Sequence, residues 1–427
     1  MSVPLDRLYH FIESIAKKID NDVIIYRFWP NGSKKIEDLN ALNNDLTWHE
    51  RALGLPIMCH DQEPLAYSLT KFDWDNKLPK ILKSLSLYDA TQSNLHVVSN
   101  KYQKICLVHS EKRSKDVIDY QNNFCIPIYY WSHAIIARDW FRYAKHIQQQ
   151  QQSVTKTFLI YNRAWSGTRE YRLRFTEFLI NLNLQNSCHT TVNSIEPELG
   201  IHYDQYQFKN PVWRPQTVLE DYFPATSAHS SCSADFDIKD YESTDIEIVL
   251  ETLFDDNRLH LTEKSLRPIA CGQPFILAGT YGSLEYLRSY GFKTFGHVWD
   301  ERYDLIKDPM ERLIAIVDLM RQIANWTTRD RERNLAEAQT ITDYNKQHFF
   351  SQEFFDSVVN ELEDNLESGI AKINLNSDFQ KFINTWEHRL TFKEIKEFLE
   401  NPVLGQHPRI PTIDQVTQVL DILKQRH

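Results

Sequence analysis

A charged pair at the start of a predicted helix is the strongest candidate for chemistry in this chain. Glu263 and Lys264 precede a short helical stretch that ends at Gly272. The lysine ammonium is suited to a phosphate group, and the glutamate carboxylate can accept hydrogen bonds from ribose hydroxyls. Backbone amides at such a helix start also favour an anion. Taken alone, the same pair is equally typical of an ordinary solvated helix start.

The glycines around this pair indicate the surrounding fold. The chain has only 11 Gly in 427 residues, yet Gly272, Gly279, Gly282 and Gly291 stand close together around the apolar run 274–278. An alternation of helices and continuous apolar strands is typical of a parallel sheet with helices on both faces, because such strands have no polar side. The sequence therefore predicts an α/β fold, with backbone amides near Gly279 placed to bind an anion.

Two arginines follow the first predicted strand of the second half of the chain. The apolar run 157–161 leads into Arg163 and Arg169, just before a predicted helix. A guanidinium group binds two phosphate oxygens at once, which suits a diphosphate better than the point charge of a lysine does. These arginines could instead pair with carboxylates at the helix start. With Glu263 and Lys264 in the same half of the chain, the phosphate interpretation is favoured.

Acidic residues in the first half are candidates for proton transfer. Asp61 and Glu63 follow the apolar run 55–59 in the segment HDQEP, where a parallel strand would end. Ligands of open α/β sheets bind beyond the carboxyl ends of the strands. We therefore predict that Asp61, Glu63 or His133 acts as a general base near an acceptor hydroxyl. The alternative is a turn fixed by Pro64, with Asp61 capping the next helix.

Histidines follow three predicted strands of the first half, at His60, His109 and His133. A single histidine is usually structural, whereas three at the same edge of one sheet favour a site. Metal ligands must converge within about 2 Å of the ion, and separations of 49 and 24 residues along the chain do not indicate such convergence. We therefore predict no metal site here and prefer an acid–base role.

The run TEKSLRPIACGQPFILAG, residues 262–279, resembles the nucleotide-sugar site of two-domain GT-B glycosyltransferases, especially their fucosyltransferase-like branch. In that branch a Ser/Thr-Glu-Lys triplet opens a helix, which is followed by a small residue, a glycine and a PF or PV strand. The run GFKTFGHVWDERYD and the segment HDQEP are similar to glycosyltransferase-like proteins encoded by large tailed phages. The resemblance covers roughly residues 155–320.

This resemblance implies an enzyme that transfers a sugar from a nucleotide-sugar donor to a hydroxyl group without a metal ion or other cofactor. The residues it assigns to donor binding are Arg163, Arg169, Thr262, Glu263, Lys264 and Gly279. The chain differs from the GT-B pattern in one respect. It lacks the short Gly-Gly turn that many GT-B enzymes have near their start, on the N-terminal side of the donor site.

The phage resemblance also implies an acceptor, a hydroxymethylated pyrimidine in double-stranded DNA. Basic windows at 101–115 and 156–174, with aromatic residues at 129–131 and Trp165, could hold a DNA backbone and a flipped base. The net charge of −10 counts against this partner, so a polysaccharide or small-molecule acceptor stays open. Two further alternatives are a non-catalytic protein that binds nucleotide-sugars or nucleic acid, and a structural phage component.

Length and composition predict two folded domains and an appendage. A chain of 427 residues exceeds one ordinary core, and its hydrophobic content of 42% is that of a folded protein. The glutamine run at 148–152 is the predicted linker. We expect a GT-B-like pair, with a Rossmann-like acceptor domain at 1–150 and a Rossmann-like donor domain at 153–365, followed by a helical appendage at 366–427.

Targeting and redox features point to a reducing compartment. No apolar run approaches the roughly 20 residues that a membrane span needs, and no signal peptide is recognisable. The six cysteines show no CxxC or Cys/His spacing, which argues against a disulfide framework or a structural zinc site. We expect a cytoplasmic protein without a membrane partner, located in the host cytoplasm if it is phage-encoded, with cysteines as small buried residues.

Overall fold

A computed structural model describes residues 3–20, 23–27, 55–59, 105–115, 117–118, 125–147, 154–223 and 234–386. Within these ranges the chain is an α/β protein built on parallel β-sheets, as its alternation of helices and apolar strands predicts. The candidate bases Asp61 and Glu63 lie outside the described residues.

The strands of the first sheet are mostly apolar and include many β-branched residues, which fit a buried pleated surface. They pair in sequence order as β1 (Val23–Arg27), β2 (Leu55–Cys59), β3 (Ile105–His109) and β4 (Cys125–Tyr129). Each neighbouring pair is parallel. The carboxyl ends of β3 and β4 therefore lie side by side, with His109 in register with Tyr129.

The second sheet has a different order, which matters for where a ligand can bind. Its strands are β5 (Lys156–Asn162), β6 (Cys188–Val192), β7 (Thr244–Leu250) and β8 (Phe275–Ala278), and they pair in the order β6-β5-β7-β8. All these pairs are parallel. The chain leaves β5 toward β6 on one side and later returns to β7 on the other. The carboxyl ends of β5 and β7 thus form a topological switch point, where open α/β sheets bind ligands.

The segment 245–253 carries both helical and strand signals, and in the structure its residues up to Leu250 belong to β7. Its two glutamates, which would lie one turn apart on a helix, instead have separate partners. Glu247 lies within β7 and pairs with Arg267, whereas Glu251 follows the strand end. The parallel neighbours β5 and β8 satisfy the backbone of this segment, and this pairing overrides the helical pattern.

Helices cover the sheets and connect the strands. In chain order they are α1 (Leu8–Ile19), α2 (Ser132–Trp140), α3 (Tyr171–Asn181), α4 (Ile238–Glu242), α5 (Glu263–Cys271), α6 (Ser283–Ser289), α7 (Pro309–Ala324), α8 (Thr328–Phe349) and α9 (Gln352–Trp386). Helices α8 and α9 are separated by residues 350 and 351. Residues 201–223 contain three one-turn 3₁₀ helices and an isolated bridge from His202 to Ile195.

Helix α9 runs from the second half of the chain back to the first sheet. Leu362 and Leu366 are fully buried, one helical turn apart, and Asn365 Nδ2 donates to the Tyr129 carbonyl at 2.7 Å. Gly369 allows a close approach to β4, because a Cβ there would lie 2.9 Å from Ile128 Cδ1. The appendage predicted to begin at 366 thus shares one continuous helix with the residues before it.

Two further expectations concern membranes and cysteines. In the part of the chain that the structure describes, no helix combines the length and apolarity that a membrane crossing requires. Cys106, Cys188 and Cys271 are buried, as expected for small apolar residues. Burial raises the pKa of the Cys188 thiol to about 12, so this sulfur stays protonated at neutral pH.

Candidate functional site at the carboxyl ends of the second sheet

The start of α5 is held in place by one buried carboxylate, Glu251. Its side chain accepts hydrogen bonds from the backbone amides of Thr252 and Thr262, each at 3.0 Å. It also accepts from the hydroxyls of Thr262 at 2.8 Å and Ser265 at 2.6 Å. These four hydrogen bonds compensate the buried carboxylate for the water that it loses. Glu251 therefore ties the end of β7 to the first turn of α5.

Thr262 caps α5, because its hydroxyl accepts from the Lys264 amide at 3.3 Å. The Lys264 ammonium lies 2.8 Å from Glu263 Oε1 and 3.3 Å from the hydroxyls of Thr252 and Thr262. Its side chain is 14% exposed. These contacts place the lysine charge at the carboxyl end of β7, on one side of the switch point.

Glu263 faces the first sheet rather than solvent. His133 Nε2, on α2, lies 3.2 Å from Glu263 Oε2, and both side chains are 5% exposed. Burial alone would raise the pKa of Glu263, but the Lys264 ammonium and the hydrogen bond from His133 hold it well below its ordinary value. The carboxylate that we expected to accept from ribose hydroxyls therefore accepts from two side chains of the protein.

Residues 258–261, just before α5, join the second sheet to the first. The backbones of Lys112, after β3, and Leu259, before α5, form an antiparallel bridge with N···O distances of 2.9 and 2.8 Å. Glu111 pairs with Arg258 at 3.0 Å, and Trp131 Nε1 donates to the Leu261 carbonyl at 2.9 Å. The carboxyl edge of the first sheet is thus in direct contact with the segment that opens α5.

On the other side of the switch point, Arg163 and Arg169 share one carboxylate. Arg163 Nη2 lies 3.3 Å from Glu198 Oε1, and Arg169 Nη2 lies 3.1 Å from Glu198 Oε2. Partial burial opposes the charge on Glu198, but Arg169 and Arg163 hold its pKa below the ordinary value. The two arginines predicted to act together are therefore neighbours in the structure.

A buried guanidinium connects the ends of β5 and β7. Arg172 donates through Nη1 to the Ala164 carbonyl at 2.6 Å and through Nη2 to the Leu250 carbonyl at 2.5 Å. Tyr171, beside it on α3, donates to the Glu251 carbonyl at 2.8 Å. These bonds fix the relative position of the loop that carries Arg163 and the loop that leads to Lys264.

Gly279 lies in the same cluster, at the end of β8. A Cβ at this position would lie 2.9 Å from Ser283 Oγ and 3.7 Å from Glu251 Cβ. The backbone amide of Glu251 also donates to the carbonyl of Ala278, the residue before Gly279, at 3.0 Å. Gly279 thus permits the close packing of the β8 turn against Glu251, and its amide stands at the carboxyl edge of the sheet.

The structure groups the predicted donor residues into two neighbouring sets. Thr262 and Gly279 pack directly against Glu251, and Glu263 and Lys264 follow Thr262 on α5, whereas Arg163 and Arg169 both pair with Glu198. Arg172 and the adjacent ends of β5 and β7 connect these sets. Of the three candidate bases, His133 is buried against Glu263, and Asp61 and Glu63 lie outside the described residues.

The aromatic residues predicted to hold a flipped base are buried in the core and not on an accessible surface. Tyr130 and Trp131 are fully buried, and Trp165 is 1% exposed. Trp165 Nε1 donates to the Asn193 carbonyl at 2.7 Å. Their large rings complete the core, and the indole N–H groups of Trp131 and Trp165 donate to backbone carbonyls. The accessible position expected for Tyr130, Trp131 and Trp165 is therefore wrong, whereas Tyr129, the fourth ring of that prediction, is partly buried.

The described part of the basic window 101–115 also has an internal role. Lys112 Nζ lies 4.5 Å from the ring centroid of Tyr129 and 4.8 Å from that of Tyr286. Arg113 stacks on Tyr281 at 4.0 Å and donates to its carbonyl at 2.5 Å. Through Tyr286 and Tyr281 these cations contact the second half of the chain, which strengthens the contact between the two halves.

Sequence reasoning missed Glu198 and did not assign Glu251 to a site. Glu251 follows an apolar run by one residue, which is the same signal that identified Asp61. Glu198 lies in the irregular segment 193–202, where no periodic pattern exists. Among the described residues, no cluster of three or more His, Cys, Asp or Glu side chains could hold a metal ion.

Comparisons of the chain with protein-family models, curated proteins and solved structures found no match. The functional argument therefore depends on the residues and their geometry.

Proposed function

We propose that the protein is a metal-independent glycosyltransferase of the GT-B type, fucosyltransferase-like and similar to those encoded by large tailed phages. Its donor, a nucleotide-sugar, would bind at the carboxyl ends of β5 and β7. The observation that carries this proposal is the placement of Arg163, Arg169 and Lys264 around the topological switch point. The contact of this edge with the first sheet through His133 supports a donor domain that faces an acceptor domain.

The proposed chemistry needs negative charge to be neutralised and a hydroxyl to be activated. The bond between the anomeric carbon and the diphosphate oxygen breaks, and the acceptor oxygen forms a new bond to that carbon. Arg163, Arg169 and Lys264 would stabilise the charge that develops on the leaving diphosphate. Asp61 or Glu63 would take the hydroxyl proton. The contact between His133 and Glu263 supports a positioning role for this histidine, since Glu263 in turn holds Lys264.

The acceptor is proposed in two forms. A hydroxymethylated pyrimidine in double-stranded DNA follows from the phage resemblance, and it would place the protein in the host cytoplasm. A polysaccharide or small-molecule hydroxyl is the second candidate. The burial of Tyr130, Trp131 and Trp165 favours this second candidate, because none of these rings is placed to hold an extruded base.

Donor binding and transfer are tested in sequence. A panel of nucleoside diphosphates and their sugars is screened by thermal shift, where a ligand at 100 times its Kd stabilises by about 2.7 kcal/mol. The best donor is then incubated with hydroxymethylated DNA, polysaccharide or simple glycosides, and products are measured by mass spectrometry. We expect Arg163→Ala, Arg169→Ala and Lys264→Ala each to lower transfer by about 10²-fold.

The matched control is Arg302→Ala, since Arg302 is 85% exposed and pairs only with the nearby Asp300 among the contacts described. This variant should transfer at the rate of the unmodified protein. Binding without transfer to any acceptor would favour a non-catalytic nucleotide-sugar protein. If no nucleoside diphosphate raises the melting temperature, the donor site is refuted and a structural role becomes the better explanation.

A further inference from the structure

Glu198 presents its carboxylate to two guanidinium groups in the way that a phosphate would. One oxygen lies 3.3 Å from Arg163 Nη2 and the other lies 3.1 Å from Arg169 Nη2. Each oxygen thus serves one arginine. A phosphate group offers the same pair of oxygens with a larger negative charge.

The Glu198 side chain is exposed, and the two arginine side chains are partly exposed. Glu198 is 46% exposed, and Arg163 and Arg169 are 28% and 23% exposed. Exposed ion pairs of this kind contribute little to stability, because water screens them and two long side chains lose freedom. A ligand with a higher charge can therefore replace the carboxylate at small energetic cost.

The turn that carries Glu198 is held by other groups. Glu196 is fully buried, and its Oε2 accepts from the amides of Glu198 at 2.6 Å and Leu199 at 3.1 Å. The Glu196 amide donates to the Ile201 carbonyl at 2.9 Å, and Gly200 donates back to Glu196 at 2.8 Å. The backbone of the turn thus does not depend on the Glu198 side chain, which can leave the arginines while the turn stays folded.

We propose that Glu198 is a specificity-determining residue of the donor site, whose carboxylate competes with a phosphate group for Arg163 and Arg169. This inference rests on the proposed function, since it takes these arginines as the diphosphate-binding groups. Glu198 lowers the affinity for any anion that cannot displace it. It also returns to the arginines as a diphosphate leaves, which favours product release.

The test measures binding of inorganic pyrophosphate by calorimetry to the full chain and to the Glu198→Gln and Glu198→Ala variants. Glutamine keeps the shape of the side chain and removes the competing charge. We expect both variants to bind pyrophosphate about three- to tenfold more tightly, the range that corresponds to the loss of one or two exposed ion pairs. Arg163→Ala should weaken binding in every background.

The matched control is Asp204→Asn, in the one-turn 3₁₀ helix Tyr203–Gln205 that follows the segment of Glu198. Asp204 is 62% exposed and pairs with His202 at 3.7 Å, so this change removes the same charge without altering the arginine pair. It should change pyrophosphate affinity by less than about twofold, because exposed charges at a distance are screened. An equal gain in Asp204→Asn would mean that overall charge, and not local competition, is responsible, and this would overturn the inference.

The other outcomes separate this inference from the proposed function. Unchanged or weaker binding in both Glu198 variants, with binding lost in Arg163→Ala, would overturn the role of Glu198 and leave the donor site in place. Weaker binding would show instead that Glu198 orients the arginines. If neither the unmodified protein nor any Glu198 variant binds pyrophosphate, both the inference and the donor-site assignment fail.

Discussion

His133 Nε2 and Glu263 Oε2 lie 3.2 Å apart, and this contact joins α2 of the first half to α5 of the second. Both side chains are buried, and Glu263 also binds the Lys264 ammonium at 2.8 Å. Lys264, which we propose to bind phosphate, is thus held through one carboxylate by a histidine on α2 of the first half. The position of the cation therefore depends on the contact between the two halves of the chain.

The first prediction concerns the pH dependence of stability. Because the pKa of Glu263 is well below its ordinary value in the folded protein, its contribution is fully present above the unfolded pKa of about 4.3. The contribution is lost as pH falls through the lower, folded pKa. Between pH 7 and pH 3, the free energy of unfolding should fall more steeply for the unmodified protein than for Glu263→Gln. Parallel curves in urea titrations would contradict this assignment.

Glu251→Gln should destabilise the start of α5. Each carboxylate oxygen accepts from one backbone amide and one hydroxyl. In the glutamine variant an NH₂ donor replaces one of these oxygens. A hydroxyl can rotate to accept from it, but a backbone amide cannot, so the NH₂ group must face the N–H of Thr252 or Thr262, donor against donor. We expect a loss of about 1–3 kcal/mol in the free energy of unfolding, measured with denaturant. The exposed Glu285→Gln on α6 is the control and should change stability by less than about 0.5 kcal/mol.

The buried pair of Arg267 and Glu247 gives a third prediction. Both side chains are almost fully buried, their N···O distance is 2.5 Å, and Tyr241 donates to the other Glu247 oxygen at 2.6 Å. Arg267→Met leaves a buried carboxylate without its countercharge and should cost about 3–5 kcal/mol. Arg302→Met breaks the exposed ion pair with Asp300 and should lower the free energy of unfolding by less than about 1 kcal/mol. Similar losses in both variants would argue against a desolvated pair.

Gly291 allows a fourth prediction, because its backbone is left-handed with φ of +86°. A Cβ there would lie 2.9 Å from His348 Nε2, which bonds the Tyr290 carbonyl at 2.7 Å. Gly200 is the matched control, since it has φ of +66° and no atom near the Cβ position. Both Gly→Ala variants should lose about 1–2 kcal/mol from backbone strain. In Gly291→Ala the clash with His348 should add to this loss. Equal melting temperatures of the two variants would show that the His348 ring moves away at no cost.

Sequence patterns predicted the α/β class and apolar strands such as 55–59 and 157–161 near their observed ends, because apolar runs are local features. They did not predict β6, Cys188–Val192, which is short and mostly polar. Arg163 and Arg169 were predicted to act together and lie on one carboxylate. Glu198 itself could not be predicted, because its position depends on a turn held by Glu196. The burial of Trp131 and Trp165 was also missed, because aromatic residues beside basic ones are typical of both a core edge and a binding surface.

The return of α9 to the first sheet has a consequence for synthesis. Asn365 bonds Tyr129 across 236 positions of the chain. At roughly 5–20 residues per second, a ribosome needs tens of seconds to make that length. During this interval the side of β4 that α9 later covers is an open apolar surface on the nascent polypeptide. The first sheet thus completes its packing only after the second has emerged, and until then it is a target for chaperones.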